Sequence, residues 1–254
     1  MLWPTVPGMT TLVGVARHVG TASLAGVIAG VVVGGLLGRV VMRISGFTAG
    51  PALVGVHTSN GNRVGDITFG GTLALVLFTG LAAGLIGGVV YAVVEPWLRR
   101  VRPWHGLGYG VALLLAYGFT VLDPSNFDFR RFGSAALNVA MFAALFVIFG
   151  VATAWLFDTV NALRAGTGSA ARLADVLAWM VLVPAAIASV VIASSVGGLG
   201  DPVTTITIVG PLVAAAIVRW RGLPELFGYA SLAAGVLLGA ARTVIGLPEL
   251  LAGF

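Results

Sequence analysis

The chain has 254 residues, of which 58% are hydrophobic and only 9% charged, with a formal net charge of +5. A soluble domain carries roughly 25% charged residues, so a water-facing fold of this length would not hide so much apolar surface, and lipid must solvate most of it. All fourteen basic residues are arginine and cysteine is absent, which excludes Schiff-base chemistry, retinal pigments included, together with disulfides, thiolate nucleophiles and cysteine-ligated metals.

Residues 1–19 read as a short, weakly apolar leader with Trp3 as an interface anchor. They lack a small-residue cleavage site after a short apolar core, so the first helix is expected to stay as an uncleaved anchor. That helix, about Thr21 to Ile44, carries glycine at every fourth position: Gly26, Gly30, Gly34 and Gly38. Residues four apart share a helical face, so the stripe forms a groove that a neighbouring backbone can enter closely. Beside it, Gly35, Arg39 and Arg43 form a second stripe that ends in two guanidinium groups one turn apart.

A polar loop follows, Ser45 to Phe69, with Asn60-Gly61 as a turn signal and Val64 to Phe69 as a short extended piece. Helix 2, about 70–94, has its own stripe, Gly80, Gly84 and Gly88, which predicts packing against the first. Glu95 to Trp104 reads as a basic, tryptophan-flanked cytoplasmic turn with aromatic interface anchors. Further helices are predicted at about 105–122, 135–157, 175–196, 203–218 and 227–248, with Pro184 as a kink in the fifth. The fold class is therefore an all-α polytopic bundle of about seven helices, forming one integral membrane domain over residues 1–254. Phe69-Gly70-Gly71 after Asp66 and Phe132-Gly133-Ser134 after Asp128 echo one another, either as a duplicated hairpin or by chance in a glycine-rich chain.

On alternate sides, Arg17, Arg99, Arg100, Arg102, Arg164, Arg172, Arg219 and Arg221 fall with the N-terminus. Arg39, Arg43, Arg63, Arg130, Arg131 and Arg242 fall opposite, so the positive-inside rule favours a cytoplasmic N-terminus in a bacterial inner membrane. The basic charge lies in short loops and is read as a topology signal, with no nucleic-acid partner.

The candidate ligand site is on that opposite side: Arg39, Arg43, Arg63, Asp66, Asp123, Asp128, Arg130 and Arg131. Arginine's planar fork donates two parallel hydrogen bonds to phosphate or carboxylate. Two readings compete. Either the arginines surround an anion, or Arg39 and Arg43 snorkel to headgroups and pair with loop acids as a structural device. Gly198-Leu199-Gly200-Asp201 matches the short signature of intramembrane aspartyl proteases, but the usual second aspartate is missing and a turn with a helix start explains it as well. No metalloprotease or P-loop motif occurs, and His18, His57 and His105 suggest no pair of haem ligands, so no metal or cofactor is implied.

Gly38-Arg39-x-x-Met42-Arg43, the run Asn60-Gly61-Asn62-Arg63-Val64-Gly65-Asp66-Ile67-Thr68-Phe69-Gly70-Gly71, and Leu122-Asp123-Pro124 through Asp128-Phe129 resemble a group of uncharacterised bacterial multi-pass membrane proteins. The resemblance covers roughly residues 20 to 150 and implies no activity; it singles out the two loops. The leading expectation is a binding or transport protein for a small anion or anionic lipid headgroup. A non-catalytic subunit docking a membrane-protein partner or a second copy, and a hydrolase centred on Asp201, are the alternatives.

Overall fold

A computed structural model describes residues 12–50, 53, 55–57, 68–122, 132–194, 210–217 and 224–251. These residues form an all-α bundle of seven helical stretches. In chain order they are α1 (Leu12–Thr48), α2 (Phe69–Val101), α3 (His105–Tyr117, continued by a 3-10 turn Gly118–Thr120), α4 (Ala135–Ala165), α5 (Ser169–Ser194), α6 (210–217) and α7 (Glu225–Leu251). Four of them, α1, α2, α4 and α7, are long and apolar enough to cross a membrane.

Most helices outrun the apolar stretches that predict them. The 37 residues of α1 extend about 55 Å, against a hydrocarbon core about 30 Å thick. The surplus carries Arg17 and His18 at one end and Ser45 and Thr48 at the other, and ion pairs described below let α2 and α4 continue past the last apolar residue instead of fraying there. The helix starts are locally encoded. The Thr68 hydroxyl accepts from the Gly71 N–H at 3.1 Å, capping α2, and the Ser134 hydroxyl accepts from Leu137 and caps α4. The two Phe-Gly motifs are thus out of step: Phe69-Gly70 lies inside the first turn of α2, whereas Phe132-Gly133 precedes the cap of α4.

Glycine decides where the backbones meet. A Cβ on Gly26 would lie 2.5 Å from Gly88 Cα, one on Gly30 2.5 Å from Gly84 Cα, and one on Gly88 2.5 Å from the Ala22 carbonyl. The α1 and α2 backbones are therefore in direct contact along the predicted stripes. A second crossing, which the sequence reading did not single out, joins α3 to α4: a Cβ on Gly110 would meet Val147 Cα at 2.7 Å, and one on Gly106 would meet Val151 Cα at 3.0 Å. Between these crossings lies an aromatic core of Tyr91, Tyr109 and Phe157, with ring centroids 4.9 and 5.2 Å apart in edge-to-face contact. The Tyr109 hydroxyl donates to the Gly87 carbonyl at 2.5 Å, which satisfies its polar tip inside the bundle.

Candidate functional site

The far end of α1 holds the two arginines that the sequence reading placed at the site. Arg39 is half-buried, with its Nε shielded from solvent. Arg43 is exposed one turn later, its guanidinium 4.9 Å from the centroid of the Phe47 ring. Arg63, Asp66, Asp123, Asp128, Arg130 and Arg131 lie outside the described residues, as do Trp3 and Asp201. The chain bordering the second loop is held against this same end of α1. Ser45 donates to Asn138 Oδ1 at 2.5 Å, and the buried Asn138 amide donates to the Phe132 carbonyl at 2.7 Å. Gly133 sits beside them at φ +75°, where a Cβ would fall 3.2 Å from the Ser45 carbonyl. This Ser45–Asn138–Phe132 clamp was not foreseen; a lone asparagine in an apolar helix is the signal that could have pointed to it. On α7, Arg242 stands 5.3 Å from the Phe119 ring, near the end of α3.

Immediately before Gly38 and Arg39, α1 departs from α-helical winding. Gly30–Leu37 is a π-helix, and Leu75–Ala82 of α2, packed against it, is another. The Gly38 N–H accordingly reaches back to the Val33 carbonyl, five residues earlier. The wider turn changes which glycine faces α2. Gly35 is buried, with a Cβ position 3.2 Å from Val76 Cα, while Gly34 is only half-buried. Gly38 is also buried, but a Cβ there would meet nothing nearer than 3.8 Å. The four-residue stripe therefore runs Gly26–Gly30 and then steps to Gly35, a shift that fourfold spacing in the sequence does not reveal.

At the opposite end a set of ion pairs ties the helices together. Arg164 of α4 is buried; its guanidinium donates to Asp175 of α5 at 2.5 and 3.0 Å, to the Arg17 carbonyl of α1 at 3.0 Å, and to the Thr21 hydroxyl. Arg17 also pairs with Asp175 at 3.4 Å. Arg164 beside it holds the Asp175 carboxyl below the usual carboxylate range, with Arg17 adding to the effect. Arg102 bonds Asp158 at 2.7 Å, with His105 Nε2 3.4 Å from the same carboxylate. Arg100 bonds Glu225 at 2.5 Å and the Tyr229 hydroxyl at 2.8 Å, joining α2 to α7. Inside this belt Glu95 is 1% exposed: one carboxylate oxygen pairs with Arg99 and the other lies 4.0 Å from His18 Nε2, which donates to the Ala92 carbonyl at 3.1 Å.

By charge alone these arginines are topology signals, and the composition of Glu95 to Trp104 predicts a cytoplasmic turn with aromatic interface anchors. Instead Glu95, Pro96 and Trp97 are buried in the last turns of α2, and Trp97 packs against Gly228 and Tyr229 of α7. Trp104 alone of that pair of tryptophans stays exposed. The missed signal is the acids: each of Glu95, Asp158, Asp175 and Glu225 falls on the N-terminal side with an arginine to meet it. Among the described residues, no group of three or more His, Asp or Glu side chains gathers to hold a metal ion.

Fold and composition together define an all-α membrane protein. No protein family, curated protein or solved structure matches the chain.

Proposed function

We propose that this chain is a multi-pass protein of the bacterial inner membrane, with a cytoplasmic N-terminus, that binds or carries a small anion or an anionic lipid headgroup. The ligand sits at the end of α1, against Arg39 and Arg43, with Arg63, Asp66, Asp123, Asp128, Arg130 and Arg131 of the two loops as the further candidate ligand residues. The observation that carries this reading is convergence. The chain leaving the second loop is clamped to α1 through Phe132, Asn138 and Ser45, within one turn of Arg43. Arginine rather than lysine suits such a place, because its weakly hydrated fork keeps its charge near lipid and engages two oxyanion oxygens at once. In the partner-subunit reading the glycine stripes and the external loops dock another membrane protein. Here Gly26, Gly30, Gly84 and Gly88 are used up between α1 and α2, which favours the binding reading.

The test is a thermal-shift series on the purified protein with phosphate, sulfate, carboxylates and anionic lipids, in neutral-lipid nanodiscs. A ligand that binds the folded state raises its apparent stability with concentration, by about 2.7 kcal/mol at a hundred times Kd. A shift abolished by Arg39→Gln supports the site and gives its chemical class. No shift with any anion, alongside a variant that is only less stable, makes the arginines structural.

A further inference from the structure

We infer that the π-helical stretch of α1 is one of two registers, and that conversion to α-helix turns Arg39 and Arg43 about the helix axis, so that occupation of the anion site and helix register are coupled. This rests on the anion-binding reading for its ligand but not for its mechanics.

Three observations carry it. First, the chain has adjacent glycines, Gly34 and Gly35, where α1 crosses α2. In the π register Gly35 meets Val76, with a Cβ position 3.2 Å from Val76 Cα. An unbroken α-helix continues Gly26–Gly30 to Gly34 and Gly38 instead, so a glycine is available for the crossing in either register. Second, both windings keep backbone hydrogen bonds inside the helix. The switch exposes no N–H or C=O to lipid, the cost that forbids most rearrangements there. Third, the π register has a latch. The Ser45 hydroxyl, two residues past Arg43, bonds Asn138 of α4 at 2.5 Å, and Thr48 packs on Gly133.

Removing one residue from the wide turn rotates everything beyond it by about 100°, the angle per residue of an α-helix. Points about 5 Å from the axis then move about 8 Å, enough to carry two guanidinium groups from one neighbouring helix to the next. Gly38 to Thr48 moves as a unit, and the Ser45–Asn138 bond must break. A ligand held by Arg39 and Arg43 in one register only shifts the balance by its difference in affinity for the two. The facing π stretch of α2, Leu75–Ala82, provides a second deformable surface against which the crossing can re-form.

The chain has no native cysteine, so paired spin labels at Phe47→Cys on α1 and Leu137→Cys on α4, both exposed positions, read the register as a distance. In neutral-lipid nanodiscs the expected result is two distance populations about 8 Å apart or less. Gly34→Ala, which places a methyl at the crossing with α2 in the α register, should enrich the π population. Ser45→Ala, which removes the latch without opening a cavity, should enrich the other. Inorganic phosphate in one arm, and anionic lipid without phosphate in another, should each shift the ratio if their shared phosphate chemistry is what is recognised; a shift in one arm alone identifies the source. One distance that neither variant nor either anion changes overturns the inference, even if thermal shifts establish anion binding. Opposite shifts in Gly34→Ala and Ser45→Ala with no response to any anion keep the register switch but overturn its coupling to the anion site, and the thermal-shift series then decides anion binding by itself.

Discussion

Replacing Gly84 by alanine tests the central crossing with one methyl group. The added Cβ would lie 2.5 Å from the Gly26 carbonyl oxygen and 2.9 Å from Gly30 Cα, both backbone atoms that no rotamer change can move aside. Ordinary carbon contacts sit near 3.5–4.0 Å, so α1 and α2 must separate by about 1 Å, and a gap of that size forfeits about a quarter to a half of each contact across it. With overpacking at about 1–3 kcal/mol, the expected loss is about 2–3 kcal/mol. The assay is reversible unfolding in mixed micelles, followed by circular dichroism. Gly70→Ala serves as the control, because a Cβ there meets nothing within 4 Å. Gly26→Ala should cost a similar amount, and the double variant less than the sum, since a crossing already opened accommodates the second methyl. Stabilities of Gly84→Ala and Gly70→Ala agreeing within about 0.5 kcal/mol would refute the view that backbone contact holds this pair.

Three further outcomes follow from the polar ends of the bundle. Arg99→Ala should destabilise more than Glu95→Gln, because the first strands a buried carboxylate at a cost of about 3 kcal/mol and the second removes that charge; equal losses in the same micelle titration would contradict this. The Asp175 carboxyl is held below its ordinary value, so its contribution to stability is fully present above that value and is lost as pH falls through the lower, folded one. Acid titration of Arg164→Met should therefore show a flatter fall in stability below about pH 4 than the parent, and an unchanged slope would remove Arg164 as the cause. Asn138→Leu should cost about 1–3 kcal/mol through the stranded Phe132 carbonyl, and proteolysis between α3 and α4 should quicken as that clamp is lost; a silent substitution would argue against the clamp.

Much of the fold is legible because lipid leaves so few options. Long apolar runs can only be helices, and fourfold glycine spacing on two of them marks one of the close backbone contacts. What escaped the sequence has two physical causes. Periodicity arguments assume one winding, so the step from Gly30 to Gly35 is invisible until the π turn is seen. Charge counting assigns residues to a side but pairs none of them, so Arg17, Arg100, Arg102 and Arg164 read as orientation signals when each also ties one part of the bundle to another, and Arg99 when it pairs with the buried Glu95 of its own helix. Of the candidate site only Arg39 and Arg43, on α1, are described; its loop members lie outside the described residues. What connects that end of α1 to α4 is an asparagine amide, whose partners lie 6 and 93 positions away in the chain and follow no local spacing.

The belt of ion pairs also has a mechanical meaning. Helices bound crosswise near Arg17, Arg100, Arg102 and Arg164 share a common pivot. About such a pivot, a tilt of about 5° displaces a point some 30 Å away, the depth of the hydrocarbon core, by about 2.6 Å. Small rearrangements beside the fulcrum are thus magnified at Arg39 and Arg43, where a fraction of that travel is enough to make or break a hydrogen bond.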